Sequence, residues 1–181
     1  MAGLTSTEVA ALLDLDEGRV RKDVEYRVFE GMKSPPRFGT GQLAYLRILD
    51  SLGWDLGVDD RRSLCHQVVS AVDARARDLR LAENVLVMID EVVRAIDTLI
   101  REFATWKAGL VQRDDILGGE PVFPGTRLSV RHIGTMARRG ALAEILEDYP
   151  DLSERDVELA RRFVVAYPRV GRPRAGETPP R

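Results

Sequence analysis

Three groups of side chains in this chain have types and spacings that could do chemistry. The first is acidic. Asp114, Asp115 and Glu120 flank Gly118-Gly119, and Pro121, Pro124 and Gly125 follow closely. Carboxylates on a rigid loop are ligands for hard cations. No histidine stands at ligand spacing, and no helix locks Glu120 to the aspartates, so the metal signal is weak. The glycines and prolines are expected to build a scaffold loop. The second group is Cys65-His66 with His132. Adjacent residues on a helix face different ways and no second pair exists, so zinc is not expected. His132 has no nucleophile to serve and is expected to be structural. No catalytic residue, metal site or cofactor is therefore expected. The third group is basic. Arg19, Arg21, Lys22 and Arg27 lie on one short segment, with Lys33 and Arg37 in the loop after it, and Arg169, Arg172 and Arg174 lie near the end. Guanidinium and ammonium groups so placed suit phosphates, base edges or partner carboxylates.

The basic residues need a frame. Thr5 with Glu8 reads as a capping box opening a helix that carries Val9, Leu12 and Leu13 on one face. Asp14-Leu15-Asp16 interrupts it, and Asp16 caps a second helix with Val20 and Val24 inward and Arg19, Arg21 and Lys22 outward. Two short helices across a three-residue turn form a helix-turn-helix unit. Gly31 to Gly41 has the length and charge of a wing. Gln42 to Gly53 reads as a helix burying Leu43, Leu46, Ile48, Leu49 and Leu52.

The middle is expected to hold one helix from Asp60 to Arg80 and a β-hairpin across Glu83-Asn84. The second strand, Val85 to Ile89, is apolar throughout and expected to be buried on both faces. Asp90 then caps a long helix to about Lys107, whose wide stripe of Val92, Val93, Ile96, Leu99, Ile100, Phe103 and Trp106 suits a core or a dimer seam. Leu110 to Arg113 and Arg127 to Val130 read as short strands around the glycine loop. Three helices follow: one with Ile133 and Met136, closed by Gly140; one from Leu142 to Tyr149, stopped by Pro150; and one capped by Ser153 and lined by Val157, Leu159, Ala160, Phe163, Val164 and Tyr167. The end, from Pro168, has no periodicity and is strongly basic, which reads as a disordered tail. The fold class is mostly α (α+β). Its expected divisions are 1–60, 61–109, 110–167 and a tail 168–181: a winged helix-turn-helix, a hairpin and long helix for dimerisation, and a three-helix domain with short strands.

Bulk properties bound the partners. The 181 residues are 44% hydrophobic and 31% charged, enough for a packed core. A net charge of −2 means that any nucleic-acid contact must use a local patch. One cysteine excludes an internal disulfide framework and fits a reducing cytoplasm. Early acidic residues and the lack of a long apolar run give no expectation of a secretory leader or a membrane span.

Two motif sets carry resemblances. Ile116 to Val130, with its I-L-G-G-x-P-V and G-T-R elements, and Glu144 to Ser153, with E-I-L-x-x-Y-P and L-S, resemble a family once catalogued as a bacterial domain of unknown function. Members look like VapB-like antitoxins paired with PIN-domain ribonuclease toxins. The N-terminal order of a T-x-x-E-V-A helix, an arginine-bearing helix, a basic loop and Leu43 to Leu56 resembles the MerR-type winged helix.

These resemblances imply a non-enzymatic antitoxin of a type II toxin–antitoxin system, cytoplasmic and homodimeric. It would bind operator DNA through Arg19, Arg21, Lys22, Arg27, Lys33 and Arg37. It would silence a PIN-domain ribonuclease through Phe163, Val164, Tyr167, Arg169, Arg172 and Arg174. The alternative is a stand-alone winged-helix transcriptional regulator. An enzyme built on Asp114, Asp115 and Glu120 is a third class.

Overall fold

Thr5 and Glu8 close the reciprocal cap that their spacing predicts, the Glu8 carboxylate accepting from the Thr5 backbone N–H at 2.9 Å. They start α1 (Ser6–Leu13). The computed structural model describes residues 3–169. Asp14 turns the chain in the left-handed region, and Asp16 caps α2 (Glu17–Glu25) at 2.8 Å from the Arg19 N–H. The loop after α2 returns to the N-terminus, where Leu4 and Phe38 exchange backbone hydrogen bonds of 3.0 and 2.9 Å. Phe29 sits edge-on to both Phe38 and Tyr45 and ties that loop to the core. Next come α3 (Thr40–Leu52) and α4 (Val58–Asp73).

The α4 helix stops earlier than expected. Arg75 takes a left-handed φ of 54°, the Ala76 N–H bonds to Ala71 O at 2.9 Å and the Arg75 N–H to Val72 O at 3.0 Å. That is a Schellman closure made without glycine. Residues 74–78 then lead to β1 (Leu79–Ala82) and β2 (Val85–Val87), an antiparallel hairpin with an irregular register between Arg80 and Ala82. The expectation that the second strand is buried on both faces is overturned: Leu86 is exposed, while Val85 and Val87 are half-buried. A lone two-stranded sheet lies on the core with one face only, and the other meets water.

The long helix is α5 (Ile89–Gly109). Met88, not Asp90, occupies its cap position, and Asp90 lies in the first turn, where the helix dipole favours it. After α5 the glycine loop forms no extended strands. Val111 pairs with Val122 and Val122 with Ser129 as isolated bridges, around a short 3₁₀ turn at Leu117–Gly119. Three helices follow: α6 (Val130–Ala137), α7 (Leu142–Asp148) and α8 (Glu154–Ala166), the last opened by a Ser153–Asp156 capping box.

Two hydrophobic cores result. The first gathers Val9, Leu13, Val20, Phe38, Leu43, Tyr45, Leu49, Leu64, Val68 and the start of α5 through Ile96. The second gathers Phe123, Val130, Ile133, Ile145, Val157, Ala160, Phe163 and the end of α5 at Phe103. Residues 61–109 are thus not packed as a unit of their own: α4 belongs to the first core, and α5 spans both. The α1 helix also serves both, because Ala11 and Leu12 turn toward the second core while Val9 and Leu13 turn toward the first. In the second core α6 lies against α8 so closely that a Cβ on Gly134 would stand 2.2 Å from Ala160 O.

Candidate functional site

The basic group after α1 is held in place by a buried ionic contact. Asp23 on α2 is fully buried, accepts a hydrogen bond from the Tyr45 hydroxyl at 3.1 Å and is ion-paired to Arg61 of α4. Burial pushes its carboxyl above the ordinary range, against the pull of Arg61 and Tyr45. Arg62 donates to Tyr26 O at 2.7 Å and to Arg27 O at 3.3 Å, satisfying carbonyls at the end of α2. So α4 fixes both the roll and the end of the helix that carries the basic residues. On its outer side Lys22 and Arg21 are exposed; Arg21 also pairs with Glu17 at 2.8 Å, and Arg19 with Asp50 at 3.3 Å. Arg27 adopts a left-handed φ of 55° just past the helix end and is exposed. Lys33 and Arg37 are exposed on the tethered loop. The six residues singled out in the sequence therefore lie on one helix and the loop after it, two of them with acidic neighbours. The clamp itself escaped sequence reading. A lone aspartate among charged helix residues gives no periodic signal that it points inward.

Cys65 is buried beneath this region, and burial pushes its thiol up to about 12, with Asp23 and Glu30 adding to the shift. It is a packed thiol with no thiolate character near neutrality. His66 and His132 are exposed.

At the other end, Phe163 is buried, Tyr167 is half-buried at the end of α8, and Val164 is half-buried. Tyr167 stacks on Phe103 with an interplanar angle of 11°, donates to Glu8 at 2.8 Å and receives Lys107 Nζ at 2.7 Å. Burial pulls the Glu8 carboxyl up, but bonds from Thr5 and Tyr167 outweigh it and hold the group below its usual range. Phe163 and Tyr167 are thus already packed within the chain, and Val164 is the least committed of the three to the second core. Arg169, which the sequence places in a structureless basic tail, instead pairs with Glu120 of the glycine loop. Arg172 and Arg174 lie outside the described residues.

The acidic group of the glycine loop is not assembled into one site. Asp115 is held by Arg113 through contacts of 3.0 and 2.8 Å, and Glu120 faces Arg131 and Arg169. Among the described residues no group of three or more potential metal ligands occurs.

A groove of about 890 Å³ lies where the two lobes meet. Leu12, Leu13, Ile48, Leu52, Val92 and Leu99 line it. Arg47, Arg94, Arg155 and Arg162 line it too, with Asp14, Glu91 and Glu102. Sequence reading missed it because it lies between elements far apart in the chain.

The fold defines a mostly helical α+β protein whose two cores share α1 and α5. Residues 111–164, the glycine loop through most of α8, match the family described as "Protein of unknown function (DUF433)". No curated protein and no solved structure matches the chain. No described helix is long and apolar enough to cross a membrane.

Proposed function

We propose that this chain is an antitoxin that binds operator DNA with its N-terminal lobe and silences a PIN-domain ribonuclease with its C-terminal end. The observation that carries the reading is the pairing of two unlike ends in one packed molecule. One end presents α2 and its loop, clamped by α4, with Arg21, Lys22, Arg27, Lys33 and Arg37 exposed. The other is the family-matched lobe, whose last helix leads into a basic segment. A recognition helix must be held rigidly to read base edges, and the Asp23–Arg61 contact supplies that rigidity. A nuclease active site that gathers carboxylates is matched by guanidinium groups, which stay charged and bind carboxylates through two N–H bonds. Two-fold symmetry would place two such lobes on a palindromic operator, so the acting species is proposed to be a homodimer.

The decisive experiment is co-expression of the full chain with the product of the adjacent gene. Co-purification, return of ribonuclease activity on separation, and retardation of upstream DNA are the expected results. Arg21→Ala should cut operator affinity by about 1–3 kcal/mol if it contacts a base. If it touches phosphate alone, the salt dependence should lose about one ion and specificity should stay unchanged. Operator binding that is unchanged in both respects removes α2 as the reading helix.

The groove between the lobes favours a second reading, a stand-alone regulator that senses an amphipathic small molecule. A site of about 890 Å³ between the DNA-side helix α3 and α8 is of ligand size. Operator binding with no protein partner, altered by a small apolar acid, would select that reading.

A further inference from the structure

Glu120 follows the Gly118-Gly119 turn and faces a cleft of about 560 Å³, lined also by Lys107, Gln112, Arg131 and Tyr167. Its side chain is 23% exposed and has two guanidinium neighbours of different kinds. Arg131 is fixed: it donates to Tyr167 O at 2.6 Å and lies 5.4 Å from the Phe163 ring centroid. Its Nε stands 3.3 Å from one Glu120 oxygen, yet that oxygen is out of solvent and has no hydrogen-bond partner among the described residues. Arg169 pairs with the other oxygen and is 70% exposed. Glu120 is therefore a carboxylate with unfilled accepting capacity, held in place by a rigid arginine and met by the first arginine past α8. A guanidinium presents several N–H groups in one plane, so it can fill both oxygens.

We infer that Glu120 is an intramolecular seat for the chain's own basic tail, holding Arg169 beside the glycine loop until an acidic partner displaces it. The Tyr167 carbonyl, gripped by Arg131, sets where the chain leaves α8, so Arg169 arrives at Glu120 by position and not by search. The exposure of Arg169 keeps the pair weak, because exposed ion pairs shift populations by about two- to fivefold. A weak hold suits a contact that must yield to a site with several carboxylates. Glu120 then acts as an internal competitor for the arginine. The seat rests on the geometry alone. The competition rests on the proposed function, in which the tail meets an acidic partner.

The test uses the full-length chain in limited trypsin digestion read by mass. Trypsin cuts after Arg169 and after Arg174, and Pro173 blocks cleavage after Arg172. The rate after Arg169, divided by the rate after Arg174, reports the seat. Glu120→Gln should raise that ratio by about two- to fivefold, and 0.5 M salt should raise it in the unaltered chain. Equal ratios in all three conditions overturn the seat. Should Glu120→Gln fail to fold, judged by its melting curve, the salt titration of the unaltered chain decides alone. Competition is read with poly-L-glutamate as the carboxylate probe: Glu120→Gln should bind it about two- to fivefold more tightly, and unchanged affinity overturns that half. A trypsin ratio that depends on Glu120, with no nuclease found by co-expression, would leave the seat standing while the antitoxin reading falls. A partner found with a Glu120-independent ratio would do the reverse.

Discussion

Asp23 is the residue with most at stake in the N-terminal lobe. Its carboxylate is fully buried, so removing its partners costs more than the contacts are worth in isolation. Asp23→Ala leaves the Arg61 guanidinium facing an empty position and should destabilise the protein by about 3–5 kcal/mol in urea unfolding. Tyr45→Phe removes one hydrogen bond and should cost about 1 kcal/mol. A loss under 1 kcal/mol for Asp23→Ala would mean that α2 is held by apolar packing alone. Two other carboxylates govern the acid limb. Burial raises the Glu158 carboxyl, but hydrogen bonds from Arg161 at 2.8 and 2.9 Å and from Arg162 at 2.7 Å outweigh it and hold the group below its usual range. Glu8 is lowered likewise. A carboxyl depressed in the folded state binds fewer protons than in the unfolded chain, so its stabilisation is present above the ordinary carboxylate range and lost as pH falls through the folded value. Asp23 has the opposite sign: its carboxyl is raised, so the folded chain keeps this proton longer than the unfolded one, and stability is lost as pH rises from the ordinary carboxylate range through the folded value. Glu158→Gln should therefore lower the urea midpoint at pH 7, and the difference from the unaltered chain should vanish as pH falls through the lowered folded value. Parallel curves at every pH would remove Glu158 from the acid limb.

At the scale of elements, the legible features were those with a local chemical sign. Thr5, Asp16 and Ser153 cap helices where their spacing places them, and Pro150 follows the last turn of α7. The stops of α2 and α4 carry no such sign, because Arg27 and Arg75 occupy left-handed positions where glycine is the usual marker. The bare face of the hairpin was hidden for a different reason: apolar content in a strand does not reveal how many neighbours will cover it. The six basic residues of the proposed DNA face were legible by charge and spacing, whereas the α4 clamp beneath them depends on long-range contacts. Gly134 is a second long-range feature. Alanine there would gain about 1 kcal/mol of helix propensity. Its Cβ would meet Ala160 O at 2.2 Å, a backbone atom that cannot swing aside. Overpacking of this kind costs about 1–3 kcal/mol, and the backbone contact places Gly134→Ala at or above the upper end. Gly109, at the end of α5, has nothing within 4 Å of a built Cβ and a φ outside the left-handed range. Gly109→Ala should then be neutral or stabilising by up to about 1 kcal/mol. Equal melting shifts for the two variants would refute close α6–α8 contact.

The two proposed activities sit on cores that share α1 and α5. The α5 stripe that could have been a dimer seam is largely consumed within the chain, its first half in one core and its second in the other. A homodimer built on α5 would have to use what the helix leaves outward, along the groove with Ala95 and Thr98 on its wall. Sedimentation showing only a monomer at micromolar concentration would remove the dimer. The α1 helix adds a second tie. Leu12 is 2% exposed in the C-terminal core, while Val9 and Leu13 are buried in the N-terminal one. Arg162 of α8 donates to Leu12 O, and Arg161 reaches Asp14 at 2.9 Å, so the end of α1 is fastened to α8 by polar contacts as well. Two cores joined by a shared helix should unfold together. Each has its own reporter. Trp54 stands at the turn between α3 and α4, and Trp106, bonded to Asp156 at 3.1 Å, stands between α5 and α8. In single-tryptophan variants, Trp54→Phe and Trp106→Phe, the two urea transitions should coincide. Leu12→Ala deletes a buried side chain and leaves a cavity, at a cost of about 2–5 kcal/mol. If α1 couples the lobes, that change should move both transitions to the same lower midpoint, although Leu12 touches only one core. Transitions that separate, with Trp106 reporting the loss and Trp54 unmoved, would show two independent domains. In that case a partner bound at α8 would have no route through α1 to the proposed DNA-reading helix α2.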